Sequence, residues 1–245
     1  MNDQGLCYDA NSIPVQTLDN TGDWHVLDAH WDILWHCRTV DDAINWYQNH
    51  PVDYTNWNGQ WNYVDASGAG VVVTATDGEI VFVSKEDESY LVSTNFNLAE
   101  PSSHFFDYPC KRYDTATTML NEIEDGELTV DLCCDVLDAT HFEETLFSDI
   151  KTLYSTIYNP IEKKIYLYYL YDFENVVTFD LEEEFSKVDT SNPSYTIKNS
   201  IADATYLMYE LFDTRKVDSS NKTIVYISLG ISIFVLIVGF YNKRQ

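Results

Sequence analysis

The chain has 245 residues, room for one large domain or a domain with an appendage and too little for two sizeable domains. Its 14 Lys and Arg stand against 40 Asp and Glu, a formal charge of −26 that phosphate backbones would repel, so nucleic acid is not an expected partner. With 45% hydrophobic and 15% aromatic residues, the chain is nevertheless far from the composition of a disordered polyanion and can bury a core.

In chain order, Gly5 to Ala10 reads as a short strand after a polar start. Thr39 to His50 has helical spacing, with Thr39 as N-cap, Asp42 three residues on, and Pro51 as a stop. Between these elements lies a stretch rich in Trp, His and Asp. Strand patterns then cover Trp61 to Ala66, Gly70 to Thr76, Glu79 to Lys85 and Tyr90 to Asn95, with an Asp77-Gly78 hairpin turn. Two helices follow over Pro109 to Glu124 and Thr129 to Thr140. Leu146 to Tyr158 and Lys164 to Tyr171 read as long strands joined at Asn159-Pro160, and Asn175 to Asp180 as a third. Asp180 to Val188 is a short acidic helix, Ile201 to Phe212 a further helix, and 188–196 and 213–222 are linkers. Strands in runs, then helices, then strands again predict an α+β arrangement with a sheet covered by helices.

The end of the chain differs in kind. Ile224 to Tyr241 is an uncharged, mostly apolar run of 18 residues, which as a helix spans about 27 Å, close to the hydrocarbon thickness of a bilayer. It predicts one C-terminal transmembrane helix over 223–242, followed by a basic tail, 243–245, that contains Lys243 and Arg244. The basic pair favours a cytoplasmic C-terminus, which places the acidic domain outside. No export signal opens the chain, which starts on the polar Met1-Asn2-Asp3-Gln4-Gly5, so the expectation is either a tail-anchored chain with its domain in the cytoplasm or an N-terminus that lies further upstream.

Few motifs carry chemistry. Five cysteines, Cys7, Cys37, Cys110, Cys133 and Cys134, form neither a disulfide framework nor a zinc ribbon. His25, Asp28, His30, Asp32, His36 and Cys37 are the densest group of potential ligands. Their spacing fits neither one helix face nor one strand face, so no metal is expected. No G-x-S-x-G, P-loop or G-x-G-x-x-G occurs, which removes serine-hydrolase and nucleotide readings, and no D-x-D-x-D-G loop supports calcium binding. All six tryptophans lie between residues 24 and 61. Trp57 and Trp61, beside Asn56, Asn58 and Gln60, are candidates for a glycan or acyl-group site, because aromatic faces next to amides suit such ligands.

Short strings in a fixed order add a resemblance. Met1-Asn2-Asp3-Gln4-Gly5-Leu6 resembles the M-N-E-x-G-L string of the N-terminal-nucleophile (Ntn) linear amide C–N hydrolases. That group contains choloylglycine hydrolases, penicillin V acylases and acyl-coenzyme A:6-aminopenicillanate acyltransferases. Ser93-Thr94-Asn95-Phe96-Asn97 is similar to the family's T-N segment at a strand end, and Tyr108 to Tyr113 to the segment that supplies its active-site arginine. Leu137 to His141, Leu146 to Ile150 and the tyrosine-rich strand follow in the expected order.

The resemblance implies an αββα sandwich over 1–187, followed by a helix and linker over 188–222. It implies amide chemistry at an N-terminal cysteine whose own α-amine is the base, with no cofactor and a small-molecule amide as substrate. Asn2 and Asn95 match two oxyanion-stabilising asparagines, and Arg112 an arginine near the nucleophile. In the family, however, the M-N-E-x-G string lies well inside the mature chain, whereas here it begins at residue 1. No cysteine stands at the required position, and Cys7 follows the motif on an internal strand. The expectation is therefore an N-terminally incomplete domain, inactive as it stands. A non-catalytic, membrane-tethered binding module is the alternative.

Overall fold

The computed structural model describes residues 1–16, 18, 22, 24–53, 57–101, 110–123, 128–143, 151–187, 191 and 235–236. Strand β1 (Cys7–Gln16) leads through the two-residue β2 (Trp24–His25) into helices α1 (Val26–His36) and α2 (Val40–Asn49), then the two-residue β3 (Val52–Asp53). Strands β4 (Trp57–Val64), β5 (Gly70–Thr76), β6 (Glu79–Ser84) and the short β7 (Leu91–Val92) follow. Helices α3 (Lys111–Asn121) and α4 (Val130–Thr140) precede strands β8 (Tyr154–Asn159), β9 (Lys164–Tyr169) and β10 (Val176–Asp180) and the short helix α5 (Leu181–Ser186).

The first sheet is antiparallel in the order β1-β4-β5-β6, with Tyr8 opposite Tyr63 and Asn62 opposite Val72. Side-chain alternation divides its two faces. Trp61 and Tyr63 on β4, with Val71, Val73 and Ala75 on β5, pack against Ala29 and Ile33 of α1, Cys37 just past its end, and Val40, Ala43, Trp46 and Tyr47 of α2. Gln60 and Asn62 point the other way. The β5–β6 hairpin closes on Asp77 and Gly78, with φ of 51° and 81°, the left-handed pair that a two-residue turn requires.

The second sheet, in the order β10-β9-β8, is also antiparallel. Ile157, Tyr166 and Tyr168 pack on Cys133 and Leu137 of α4. On the opposite face, Tyr158 packs against Cys7 of β1 and Val64 of β4, joining the two sheets. Gly5 allows this close approach. It sits at φ 88°, and a Cβ there would lie 2.7 Å from the Pro160 carbonyl oxygen. The layers therefore run helix, sheet, sheet, helix. α3 packs on α4 through Ala116, Leu120 and Val136.

Several elements depart from expectation. The Trp/His/Asp-rich stretch is the helix α1, which was not predicted because Trp31 and Trp35 on its outer side blur the apolar stripe. β1 runs six residues beyond Ala10, and β4 begins at Trp57 instead of Trp61. Tyr90 to Asn95 is a strand only at Leu91–Val92; beyond it the chain turns into a segment held by side chains. The helix expected over 201–212 lies outside the described residues. So does the apolar run 224–241, apart from Val235–Leu236, here β11, which is extended and pairs antiparallel with β7. Among the described residues, no helix is long and apolar enough to cross a membrane.

Candidate active site

Asn95 lies just past β7, buried between β1 and α3. Its Nδ2 donates to the Ser12 carbonyl at 2.9 Å, and its Oδ1 accepts from an Arg112 Nη at 2.7 Å. A guanidinium has no acceptor, so the oxygen of the amide must face Arg112 and the NH₂ must face β1. One N–H remains for a further acceptor. The guanidinium also lies 4.3 Å above the Phe142 ring, which pins it in place. This arrangement presents a neutral donor of fixed orientation, polarised by a charge behind it, which is what stabilising a developing oxyanion requires.

Buried amides hold the segment that carries Asn95. Gln60 Nε2 donates to the Thr94 carbonyl at 2.7 Å, and its Oε1 accepts from the Leu98 amide at 3.1 Å, bracketing the turn. Ser93 Oγ lies 2.7 Å from Asn11 Oδ1 and 2.8 Å from Asn62 Oδ1, and Asn62 Nδ2 donates to Asn11 Oδ1 at 3.0 Å. Thr74 Oγ1 donates to Asn97 Oδ1 at 3.0 Å, and Asn97 Nδ2 donates to the Ala75 carbonyl at 2.7 Å. Thr94 Oγ1 donates to the Cys110 sulfur at 3.3 Å, tying the segment to the start of α3. The face of the first sheet that meets the second layer is thus a polar lattice. Each amide there is stabilised by a partner that an isolated buried polar group would lack.

Asn2 does not join this group. Its Nδ2 donates to both the Leu34 and Cys37 carbonyls, at 2.9 and 2.8 Å, and its Oδ1 accepts from the Gln4 and Leu6 amides. Both amide hydrogens are spent on the C-terminal end of α1. Asn95 instead bonds the Ser12 carbonyl in the middle of β1, and no hydrogen bond joins it or Arg112 to Asn2 among the described residues. The structure brings together Asn95 and Arg112 and leaves Asn2 as a brace between the N-terminal turn and α1.

No protein-family model matches the chain. No curated protein is significantly similar to it in sequence. Solved structures do match. Penicillin V acylase from Agrobacterium tumefaciens superposes with a TM-score of 0.58 at 16% identity, over 75% of this chain and 65% of that one. A mutant and a variant of conjugated bile acid hydrolase from Clostridium perfringens superpose at 0.52 and 0.54, with 13% and 14% identity, over 75% of this chain and 72% of theirs. The chain shares the fold of these amide hydrolases. It spans just under two thirds of the penicillin V acylase structure.

Within this amide-hydrolase fold the remaining candidates fall elsewhere. The Trp61 ring lies over Gly59, where a Cβ would sit 2.1 Å from it, and meets His30 edge-on at 4.7 Å in the core under α1. The Trp57 side chain is outside the described residues. His30 is held by aromatic groups: its Nδ1 is 2.8 Å from the Tyr63 hydroxyl and 3.3 Å from that of Tyr47, and its ring stacks on Tyr8. Burial there drives the imidazole down to about 3, so it is neutral at physiological pH. Asp32 binds Trp46 Nε1 and His36, and His36 is exposed. Among the described residues no group of three or more His, Cys, Asp or Glu could hold a metal ion.

The thiols Cys7 and Cys133 are pushed by burial up to about 12, and Cys37 to about 11, which keeps all three protonated at neutral pH. Asp9, at the β1 edge between the sheets, is raised by burial to about 6, opposed by the bond from the Ala10 amide and by the N-terminal amine. Asn11, Gln60, Asn62 and Ser93 were missed at the sequence level. Gln60 and Asn62 do alternate with Trp61 and Tyr63, but alternation alone does not tell a buried polar face from a wet one.

Proposed function

We propose that the chain acts in hydrolysis or acyl transfer at linear amide C–N bonds, through an N-terminal cysteine encoded ahead of Met1. The observation that carries this reading is the Asn95–Arg112 pair, a donor of fixed orientation on a fold shared with two amide hydrolases. In this reading the cysteine thiol attacks the substrate carbonyl, and its α-amine, which titrates near 8, takes the thiol proton. The free N–H of Asn95 meets the oxyanion. Arg112 holds the amide in that orientation, and Asn2 acts on structure instead of the reacting atoms. The domain is 1–187, with 188–222 as helix and linker.

The test is to express the gene with its upstream coding sequence and assay release of the acyl group from penicillin V and from a glycine-conjugated bile acid. Activity that depends on a processed N-terminal cysteine is expected, and Asn95→Ala should lower kcat/KM by about 10²–10³. The 245-residue chain alone should show no turnover. An in-frame stop upstream with no intervening cysteine, or turnover by the 245-residue chain that Asn95→Ala abolishes, refutes the reading.

We also propose that residues 223–242 anchor the chain in a membrane as a single span, with the acidic domain on the external side. Support comes from the 18 uncharged residues, the basic Lys243-Arg244 beyond them and a charge of −28 on the first 223 residues. In this arrangement the pairing of Val235–Leu236 with β7 is given up. Resistance to alkaline carbonate extraction is expected; a chain released by carbonate refutes the anchor.

A further inference from the structure

α1 has one side locked in the core and one side in water. Ala29, His30, Ile33 and Cys37 are buried at no more than 6% exposure, which fixes the rotation of the helix about its axis. On the outer side Trp31 and Trp35, one helical turn apart, are 74% and 85% exposed, more than any other large hydrophobic side chain among the described residues. Asp32, between them in sequence, is drawn inward to Trp46 Nε1 at 2.7 Å and to His36 at 3.1 Å. Arg38 is 72% exposed just past the helix end, so the tryptophan pair is rimmed by His36 and Arg38 at its C-terminal end and by Asp28 at the other.

Two largely solvated indoles on a rigid helix need an occupant that covers apolar faces while leaving the ring N–H groups hydrated. That is the environment of the headgroup–acyl boundary of a bilayer, where Trp concentrates. A second copy of this chain fits less well. At 150–250 Å² per aromatic ring, the pair offers at most roughly 400 Å² per protomer, about half of what each partner buries in a standard interface.

A small patch suffices when the domain is already tethered. The 37 residues between α5 and the apolar run have a root-mean-square reach of roughly 35 Å taken as a flexible chain throughout, which holds the patch at an effective concentration in the millimolar range. With −26 overall the chain is repelled by anionic lipid, so the contact must be short-range and with a zwitterionic surface. We propose that the Trp31–Trp35 face of α1 inserts into the interfacial zone of a zwitterionic bilayer and orients the anchored domain upon it. This rests on the membrane anchoring proposed above.

The tryptophans themselves supply the test, because all six lie between residues 24 and 61 and none lies in 224–241. The full chain is reconstituted into phosphatidylcholine vesicles with plain or brominated acyl chains, floated on a density gradient, and its tryptophan emission recorded. Quenching by brominated lipid is expected for the native chain and should fall at least threefold in Trp31→Ser/Trp35→Ser, whose thermal transition should match the native one because both rings are solvated. Flotation without quenching, or equal quenching in the double variant, overturns the proposal. So does absence of quenching with a dimer that the double variant converts to monomer, which would assign the pair to self-association. Failure to float overturns the anchor, and this contact with it.

Discussion

His30→Gln should change how stability depends on acidity, and the structure fixes the sign. In the fold, His30 titrates at about 3 against an ordinary value of 6.5, because burial among Tyr8, Tyr47, Trp61 and Tyr63 disfavours its charged form. Between pH 6.5 and 3 the unfolded chain therefore holds a proton on this side chain that the folded chain lacks. The stability contributed by the neutral imidazole is complete above pH 6.5 and is lost as pH falls toward 3. The full window is worth about 5 kcal/mol, and the interval from pH 6.5 to 4.5 about 3 kcal/mol. Asp9 works in the opposite direction. Raised from 3.8 to about 6, it gives the folded state the extra proton between those values, so its stabilisation is complete below pH 3.8 and lost as pH rises through 6. Its upper bound is about 3 kcal/mol, reduced because the residue is only half-buried and water screens the charge. Between pH 4 and 6 the Asp9 slope offsets part of the His30 slope, which leaves the native chain flatter than His30 alone would make it. Urea unfolding of native and His30→Gln chains in non-ionic detergent, from pH 4.5 to 7.5, reads the difference directly. Lost packing shifts the whole variant curve, whereas the titration changes its slope. The variant should gain about 3 kcal/mol relative to the native chain between pH 6.5 and 4.5. A stability difference constant to within about 0.5 kcal/mol over that range refutes the assignment.

Other positions give simpler outcomes. Ser93→Ala removes a buried hydroxyl shared by Asn11 and Asn62 and should cost about 1–3 kcal/mol by urea unfolding. Gly5→Ala puts a Cβ against the Pro160 carbonyl at φ 88° and should destabilise by about 1–3 kcal/mol, read as a lower Tm. Thr39→Ala removes the acceptor for the Asp42 amide at the α2 N-cap and should cost about 1 kcal/mol. Ile33→Ala opens a cavity beneath α1 and should cost about 2–5 kcal/mol.

Local rules wrote most of the fold into the sequence wherever one face of an element is dry and the other wet. The α2 cap at Thr39, the Asp77-Gly78 hairpin, the paired helices α3 and α4 and the Asn159-Pro160 corner all appear close to where the pattern places them. α1 did not, because an amphipathic signal fails when large apolar rings sit on the outer face, as Trp31 and Trp35 do. Nor did the ends of β1 and β4, whose extension to Gln16 and Trp57 is set by mutual pairing across a bulge between Ser12 and Gln16.

The site was legible in proportion to how local its chemistry is. Asn95 and Arg112 are 17 residues apart, and their contact depends on where α3 begins relative to β7, yet each stood in a short recognisable string. Asn2 stood in an equally recognisable string and lies elsewhere, because a string fixes a position along the chain and not the direction in which a side chain spends its hydrogen bonds. The amides that steady Asn95 carry no local signature. Asn11, Gln60 and Asn62 would read as solvent-facing in any antiparallel strand. They are buried because the segment after β7 that lies over them is itself polar at Ser93, Thr94 and Asn97, so each side satisfies the other. An apolar lining would have packed as well at lower risk, since an amide left without its partner costs about 1–3 kcal/mol. What the amides supply is direction. Gln60 grips the chain on both sides of Asn95, and Arg112 sets which end of the Asn95 amide faces β1, so a turn with no strand partner of its own is held to one geometry.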